Sequence, residues 1–344
     1  MNTKLQIGTK YPTFIIAEIS ANHNSSLENA KKLILSASRA GASAVKIQTY
    51  TPEEMTINTS KGSFFINEKN SLWKGQKLFD LYAKGCTPRE WHKELFNFAK
   101  KKNILLFSTP FSVSAIDFLE QFNPPLYKIA SFENNDFELI EKAARTKKPL
   151  IISAGMASEN HLNKVVKFAK KMGSKKIILL KCTSSYPAPY EDLNLSSINY
   201  MKKKFKCEIG FSDHSLGVVA ATTSIAFGAT VIEKHFKIDE KGLDAKFSID
   251  EKDFTQLIEN CRIAKKSIGK IFLGISKSEN NSVKYKRSLY LTRDIKKGEK
   301  ITSKYIRSIR GGYGDNPLNL KKYFGMKAKK NLKSPLALKL NFFK

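Results

Sequence analysis

Ile209-Gly210-Phe211-Ser212-Asp213-His214 and, soon after, Val231-Ile232-Glu233-Lys234-His235 each run from apolar residues into a cluster of chemically capable side chains. The same pattern recurs upstream. Phe14-Ile15-Ile16-Ala17 leads to Glu18, Asn22 and His23, and Ala44-Val45 leads to Lys46 and Gln48. Leu105-Leu106-Phe107 ends in Ser108-Thr109-Pro110, and Leu126-Tyr127 precedes Lys128 and Ser131. Leu150-Ile151-Ile152 ends at Ser153, and Ile177-Ile178-Leu179-Leu180 reaches Lys181, Thr183 and Ser184. Eight apolar runs with eight polar ends predict a (β/α)8 or TIM barrel, the α/β fold that gathers its chemistry at the C-terminal ends of its strands.

Helical patterns fill the gaps between the runs. Leu27 to Ala40 has helical spacing, with Asn24, Ser25 or Ser26 to cap its start and Gly41 at its end. Thr87-Pro88 reads as an N-cap followed by a first-turn proline for a helix over 88–102. Further helices are expected over 112–122, 136–147, 158–172, 215–228 and 251–268, with a weaker one near 195–204. Residues 50–87, between the second strand and its helix, are too long for an ordinary connection. Phe64-Phe65, Leu72-Trp73 and Leu78-Phe79-Asp80-Leu81-Tyr82 make this stretch too aromatic for disorder. It is expected to be an ordered insertion at the barrel mouth, with a short helix near 75–84. The barrel is expected to span 1–275, a polar linker 276–284 and a small second domain 285–344, with a strand at Ser288–Thr292 and a turn at Lys297-Gly298-Glu299.

The 344 residues are 41% hydrophobic, and no apolar run approaches the roughly 18–20 residues of a membrane span. Met1-Asn2-Thr3-Lys4 leads almost directly into the first apolar segment, without a signal-peptide core. A cytoplasmic protein with no membrane partner is expected. Cys86, Cys182, Cys207 and Cys261 form no CxxC pair, so four free thiols are expected, with Cys182 buried and inert. The net charge is +29, but only 8 of the 60 basic residues are arginine. Base readers rely on the arginine fork, so the lysines read as solvated helix faces that attract anions, and no nucleic-acid partner is expected.

His214 and His235 end strands that would be neighbours in a closed barrel. Two such imidazoles could share a divalent metal or stand as hydrogen-bonded structural histidines, and spacing leaves both open. Glu233 and His235 share a face of their strand, as do Lys46 and Gln48. Lys128 could clamp an anion or form a Schiff base, and its hydroxyl-rich surroundings favour the clamp. Ser108, Thr109, Ser131, Ser153, Thr183, Ser184 and Ser212, with Lys46 and Lys128, form a candidate pocket for phosphate and carboxylate oxygens. The chain has no GxGxxG and no P-loop, and contiguous Ser212-Asp213-His214 is no evidence of a triad.

Several strings resemble the sialic acid synthase family: Ile16-Ala17-Glu18-Ile19-Ser20-Ala21-Asn22-His23-Asn24, Tyr127-Lys128-Ile129-Ala130-Ser131, Cys182-Thr183-Ser184-Ser185-Tyr186-Pro187, Gly210-Phe211-Ser212-Asp213-His214-Ser215 and Glu233-Lys234-His235-Phe236. The tail, marked by Ser308-Ile309-Arg310-Gly311-Gly312-Tyr313-Gly314, is similar to that family's small antifreeze-like (SAF) domain. The resemblance implies a TIM barrel plus SAF domain in a domain-swapped homodimer. It implies a transferase that condenses phosphoenolpyruvate with an N-acetylated amino sugar, using a divalent metal, Mn2+ or Mg2+. By motif, His214 and His235 would bind the metal and serve catalysis together with Glu18. Lys46, Thr109, Lys128, Ser131, Ser153, Ser184 and Ser212 would hold phosphoenolpyruvate. Glu18, Asn70, Tyr186, Asp244 and Arg310, the last from the partner subunit, would contact the sugar. Asn70-Ser71-Leu72-Trp73-Lys74-Gly75 and Gly242-Leu243-Asp244-Ala245-Lys246-Phe247-Ser248 look like the pseudaminic acid synthase branch, with Lys246 where that branch carries a small residue. That branch uses 2,4-diacetamido-2,4,6-trideoxy-altrose. The alternatives are a synthase of N-acetylneuraminate or legionaminate, a Schiff-base aldolase using Lys128 or Lys181, or a basic binding protein without catalysis.

Overall fold

The computed structural model describes residues 5–69 and 71–344. The chain forms two compact units, Met1–Gly269 and Lys270–Lys344.

In the first unit eight strands run in sequence order: β1 (Phe14–Glu18), β2 (Ala44–Thr49), β3 (Leu105–Pro110), β4 (Tyr127–Ile129), β5 (Leu150–Ser153), β6 (Ile177–Cys182), β7 (Glu208–Asp213) and β8 (Val231–His235). Each pairs with the next, and β8 pairs parallel with β1 from Phe14↔Val231 to Glu18↔His235, which closes the barrel. Side chains alternate along each strand, and the alternation builds two cores. Phe14, Ile16, Phe107, Leu126, Ile151 and Leu180 fill the barrel interior. Ile15, Ala17, Val45, Ile47, Leu106 and Ile232 face outward and pack against helix residues such as Leu33, Leu95, Val165 and Phe254. A buried aliphatic side chain of this size stabilises by about 1.5–3 kcal/mol.

The expected helices form, with shifted ends. Ser26 caps the helix Leu27–Ala40 by accepting from the Asn29 N–H, and Gly41 ends it at φ 92°. The helix after Thr87 starts at Arg89, so Pro88 takes the capping position and the Thr87 hydroxyl is buried without a partner. The helix expected over 215–228 is only Val219–Ala226. Ser215 is held back because its N–H and hydroxyl both donate to Asp213 Oδ1, at 2.9 and 2.6 Å. The insertion is ordered, with short helices Pro52–Met55 and Leu78–Gly85.

In the second unit β9 (Arg287–Leu291) lies between β10 (Ile306–Arg310) and β11 (Leu336–Ala337), antiparallel to both. Leu289, Leu291, Ile301, Tyr323, Leu338 and Phe343 form its own core. The stretch expected as a linker is structured: Lys277–Tyr285 forms 3₁₀ turns, started by a capping box between Ser276 and Glu279.

Candidate active site

The parity that fills the barrel with Phe14, Ile16, Phe107 and Leu180 continues upward into polar residues. The next inward positions are Glu18 on β1, Lys46 and Gln48 on β2, Lys128 on β4, Ser153 on β5, Cys182 on β6, Ser212 on β7 and Glu233 and His235 on β8. These residues line one cavity of about 680 Å³ at the C-terminal ends of the strands.

At its base two lysines are buried with two carboxylates. Lys46 and Lys128 are 3% and 2% exposed. The Lys46 ammonium sits against the Glu18 carboxylate, donates to Thr109 Oγ1 at 3.0 Å and lies 3.9 Å from Glu233. Lys128 Nζ donates to both Glu233 oxygens, at 2.8 and 3.1 Å, and Ser212 Oγ donates to Glu233 at 3.0 Å. Burial alone would raise the Glu233 carboxyl, but Lys128 and Lys46 hold it down to about 2. Burial dominates at Glu18 and raises its carboxyl despite Lys46. Ser131 and Ser184 stand close together across Gly155, where a Cβ would come within 2.5 Å of both hydroxyls. Glycine is what lets that hydroxyl wall close.

His214 and His235 meet above this base, with ring centroids 5.3 Å apart. His214 Nδ1 lies 3.0 Å from the Thr183 carbonyl. An N–H donated there fixes the ring and leaves Nε2 with its lone pair. His235 Nδ1 is 3.5 Å from Asp244 Oδ2 and has no hydrogen-bond partner among the described residues. Among the described residues, no group of three or more His, Cys, Asp or Glu side chains forms a ready metal cage.

The upper wall is aromatic. Tyr186 lies 4.4 Å from His214 and 5.2 Å from Phe247 between ring centroids, and Trp73 lies 6.2 Å from Tyr186. Ile66, Leu78 and Leu81 from the insertion complete that side. Asn22 fastens the 242–248 loop. Its amide donates to the Phe236 carbonyl and the Ser248 hydroxyl at 2.9 and 2.8 Å, and its oxygen accepts from the Asp244 N–H at 3.1 Å. Gly242 is the residue that permits this approach, since a Cβ there would overlap the Asn22 side chain.

Of the residues singled out from sequence, Glu18, Lys46, Lys128, Ser131, Ser153, Ser184, Tyr186, Ser212, His214, His235 and Asp244 line the cavity. Thr109 does not line it and acts on Lys46 alone. Asn70 lies outside the described residues. Arg310 is exposed at the end of β10 in the second unit. Two expected pocket hydroxyls face elsewhere. Ser108 points outward to Thr49, at 2.6 Å, because it sits at the opposite parity to Thr109. Thr183 donates to the Asp192 carbonyl at 3.0 Å. His23 is also structural: it packs edge-on against Trp91, and burial lowers it to about 4. Lys246 is exposed and does not line the cavity, so this departure from the branch pattern does not alter the cavity wall. All four cysteines are free, but Cys182 is not isolated. Burial opposes its ionisation, yet His214, 3.8 Å away, holds the thiol down to about 7.

Sequence reasoning gave no role to Glu233, Glu133 or Phe247, all of which line the cavity. Glu233 was detectable from its parity with His235. Glu133 follows β4 in an irregular loop with no periodic signal. Burial pushes its carboxyl up to about 7, and its Oε2 has no partner among the described residues.

The NeuB family model matches residues 33–272, and the SAF domain model matches residues 286–334. The chain is 43% identical over 344 residues to the pseudaminic acid synthase of Campylobacter jejuni subsp. jejuni serotype O:2, covering 98% of this chain and 100% of that protein. It is 35% identical to the N,N'-diacetyllegionaminic acid synthase of the same organism, covering 93% and 97%. Among solved structures, the N-acetylneuraminic acid synthetase of Leptospira borgpetersenii serovar Hardjo-bovis superposes with a TM-score of 0.73 at 32% identity, covering 83% of this chain and 95% of that one.

Proposed function

The chain belongs to the NeuB family, the sialic acid synthases, and from this membership and its barrel-mouth cavity we propose that it carries out the pseudaminic acid synthase reaction. It is an enzyme of the transferase class. Phosphoenolpyruvate condenses with 2,4-diacetamido-2,4,6-trideoxy-altrose to give a nine-carbon 2-keto sugar acid and phosphate. One observation carries the reading: a single cavity joins two buried ammonium groups and a hydroxyl wall to an aromatic side to which the insertion contributes Trp73.

Phosphoenolpyruvate is small and highly charged, and charge-assisted donors suit it. Lys46, Lys128, Ser131, Ser153, Ser184 and Ser212 supply them, with Thr109 orienting Lys46. The sugar lies toward Tyr186, Trp73, Phe247 and Asp244, where its deoxy and acetamido methyl groups meet apolar surface. The phosphoenolpyruvate C3 bonds to the aldehyde carbon, whose oxygen takes a proton. Water adds at C2, the C2–O bond to phosphate breaks, and the C2 hydroxyl gives up its proton as the ketone forms. Buried Glu18 and partly buried Glu133, two carboxyls with raised proton affinity, are the groups suited to moving these protons.

His214 and His235 fit a divalent metal, Mn2+ or Mg2+. The Thr183 carbonyl orients one ring, the other has an unpartnered nitrogen, and substrate or water would complete the ligand set. Such an ion supplies Lewis-acid polarisation of the aldehyde oxygen. The working form is read as a domain-swapped homodimer in which Arg310 of the partner subunit reaches the sugar. The lack of arginine among the described lining residues supports this. The cytoplasm is read as its compartment, in keeping with four free cysteines.

The test is phosphate release from phosphoenolpyruvate with the altrose derivative, the legionaminate precursor and N-acetylmannosamine in turn. The altrose derivative should give the highest kcat/KM. A preference for either of the others moves the chain to another branch, and no release with any of them defeats the reading.

A further inference from the structure

We infer that Glu233 is the positioning residue of the anion site, tying the ammonium groups of Lys46 and Lys128 and the hydroxyl of Ser212 into one preset cluster. The inference rests on the phosphoenolpyruvate reading above and adds a residue that none of the sequence motifs assigned to that substrate.

Burying two ammonium groups costs several kcal/mol per ion unless they are paired. Glu18 serves Lys46 only. Glu233 accepts from Lys128 with both oxygens, accepts from Ser212 and reaches Lys46 across 3.9 Å. From β8 it therefore gathers donors carried by β2, β4 and β7. Each ammonium has three N–H donors, so these contacts leave donors free to meet an incoming anion. The hydroxyl and ammonium groups are thereby held in place before substrate arrives, and less ordering is needed on binding. Without the Glu233 charge, Glu18 would be the one ion-pair partner left to Lys46 among the described residues, and Lys128 would lose the partner that aims it.

A plain structural ion pair predicts something else: loss of stability, with both substrates affected alike. The discriminating experiment compares wild type, Glu233→Gln, Glu233→Asp, Lys128→Met and the Gln/Met double variant. Gln keeps the shape and an oxygen for Ser212 but removes the charge. Readouts are KM for each substrate, kcat, melting temperature and calorimetric affinity for inorganic phosphate. Glu233→Gln should raise the phosphoenolpyruvate KM and the phosphate Kd by about tenfold or more, with the sugar KM unchanged. Glu233→Asp should fall between wild type and Gln, because the charge remains but is drawn back. The double variant should lose less phosphate affinity than the sum of the two single losses, since Glu233 acts in large part through that lysine. Unchanged or tighter phosphate binding in Glu233→Gln, equal losses for both substrates, or additive losses in the double variant would overturn the inference. If Glu233→Gln does not fold, the Asp variant decides, and wild-type phosphate affinity there defeats the proposal. Phosphate calorimetry needs no sugar, so a wild-type chain that binds phosphate but condenses nothing refutes the reaction and still tests Glu233.

Discussion

Two lysine–carboxylate clusters sit at the C-terminal ends of barrel strands, meet at neighbouring residues of β8 and face opposite ways. The outward one joins Lys234 to Asp213 at 2.9 Å, and the lysine also donates to the Ser215 carbonyl. Both of its charged residues are fully buried, and Ser215 saturates the remaining Asp213 oxygen. The inward one joins Lys46 and Lys128 to Glu18 and Glu233 and opens on the cavity. Around it Glu18 Oε1, His235 Nδ1 and Glu133 Oε2 have no hydrogen-bond partner among the described residues. The residue types are the same and neighbours in sequence, yet one cluster is closed and the other is poised for a ligand. Buried polar groups usually find partners, and three unsatisfied atoms facing one cavity suit a site that a ligand completes.

Substitution can break this contrast. Lys46→Met should lower kcat/KM by about 100- to 1000-fold and lower the melting temperature less than Lys234→Met does, because the Glu18 carboxyl, already raised by burial, can take up a proton. Loss of fold instead of turnover would make the inward cluster structural. Lys234→Met should do the reverse. It strands Asp213 as an uncompensated buried charge at about 3–5 kcal/mol, seen as a lower melting temperature, while the phosphoenolpyruvate KM of the folded fraction stays put. A raised KM there would erase the distinction between the two faces.

The pH response sharpens it further. The Glu133 carboxyl is raised in the folded state, from 4.5 to about 7, so the folded chain holds its proton more tightly than the unfolded chain. The stability this gives is present below pH 4.5 and is lost as pH rises through 7. Glu133→Gln should therefore melt close to wild type at pH 4.5 and above it at pH 8. The gap is about 1–2 kcal/mol, reduced from the full shift because the side chain is only partly buried. Thermal melts at the two pH values check it, and a gap that does not open contradicts the assigned environment. The smallest effect belongs to the aromatic wall. Trp73→Ala should raise the sugar KM by about tenfold (1.4 kcal/mol) and leave the phosphoenolpyruvate KM alone, and steady-state kinetics with each substrate varied will show whether it does.

Much of this was visible along the chain. Ile16 and Glu18, Val231 and Glu233, and Glu233 and His235 are each two apart, so strand parity alone assigns them a common face. The helix from Leu27 to Ala40 announced its end through Gly41 and its start through Asn24, Ser25 or Ser26, of which Ser26 is the cap. Parity also separates Thr109 from Ser108, although the apolar run before them gives no cue to which one faces inward. Glu133 and Phe247 lie in irregular segments, where no period links a residue to a direction.

Strand order, helix placement and the chemistry available at each strand end follow from local patterns, because alternation and capping act over a few residues. Which polar side chains remain unsatisfied is a property of the closed barrel. Closure brings Lys46, Lys128, Ser212 and Glu233, from four different strands, into one cavity. Only there does burial raise Glu18 and Glu133, and only there do Lys128 and Lys46 hold Glu233 down against burial, because desolvation and the Coulomb field of distant residues exist only once the chain has packed.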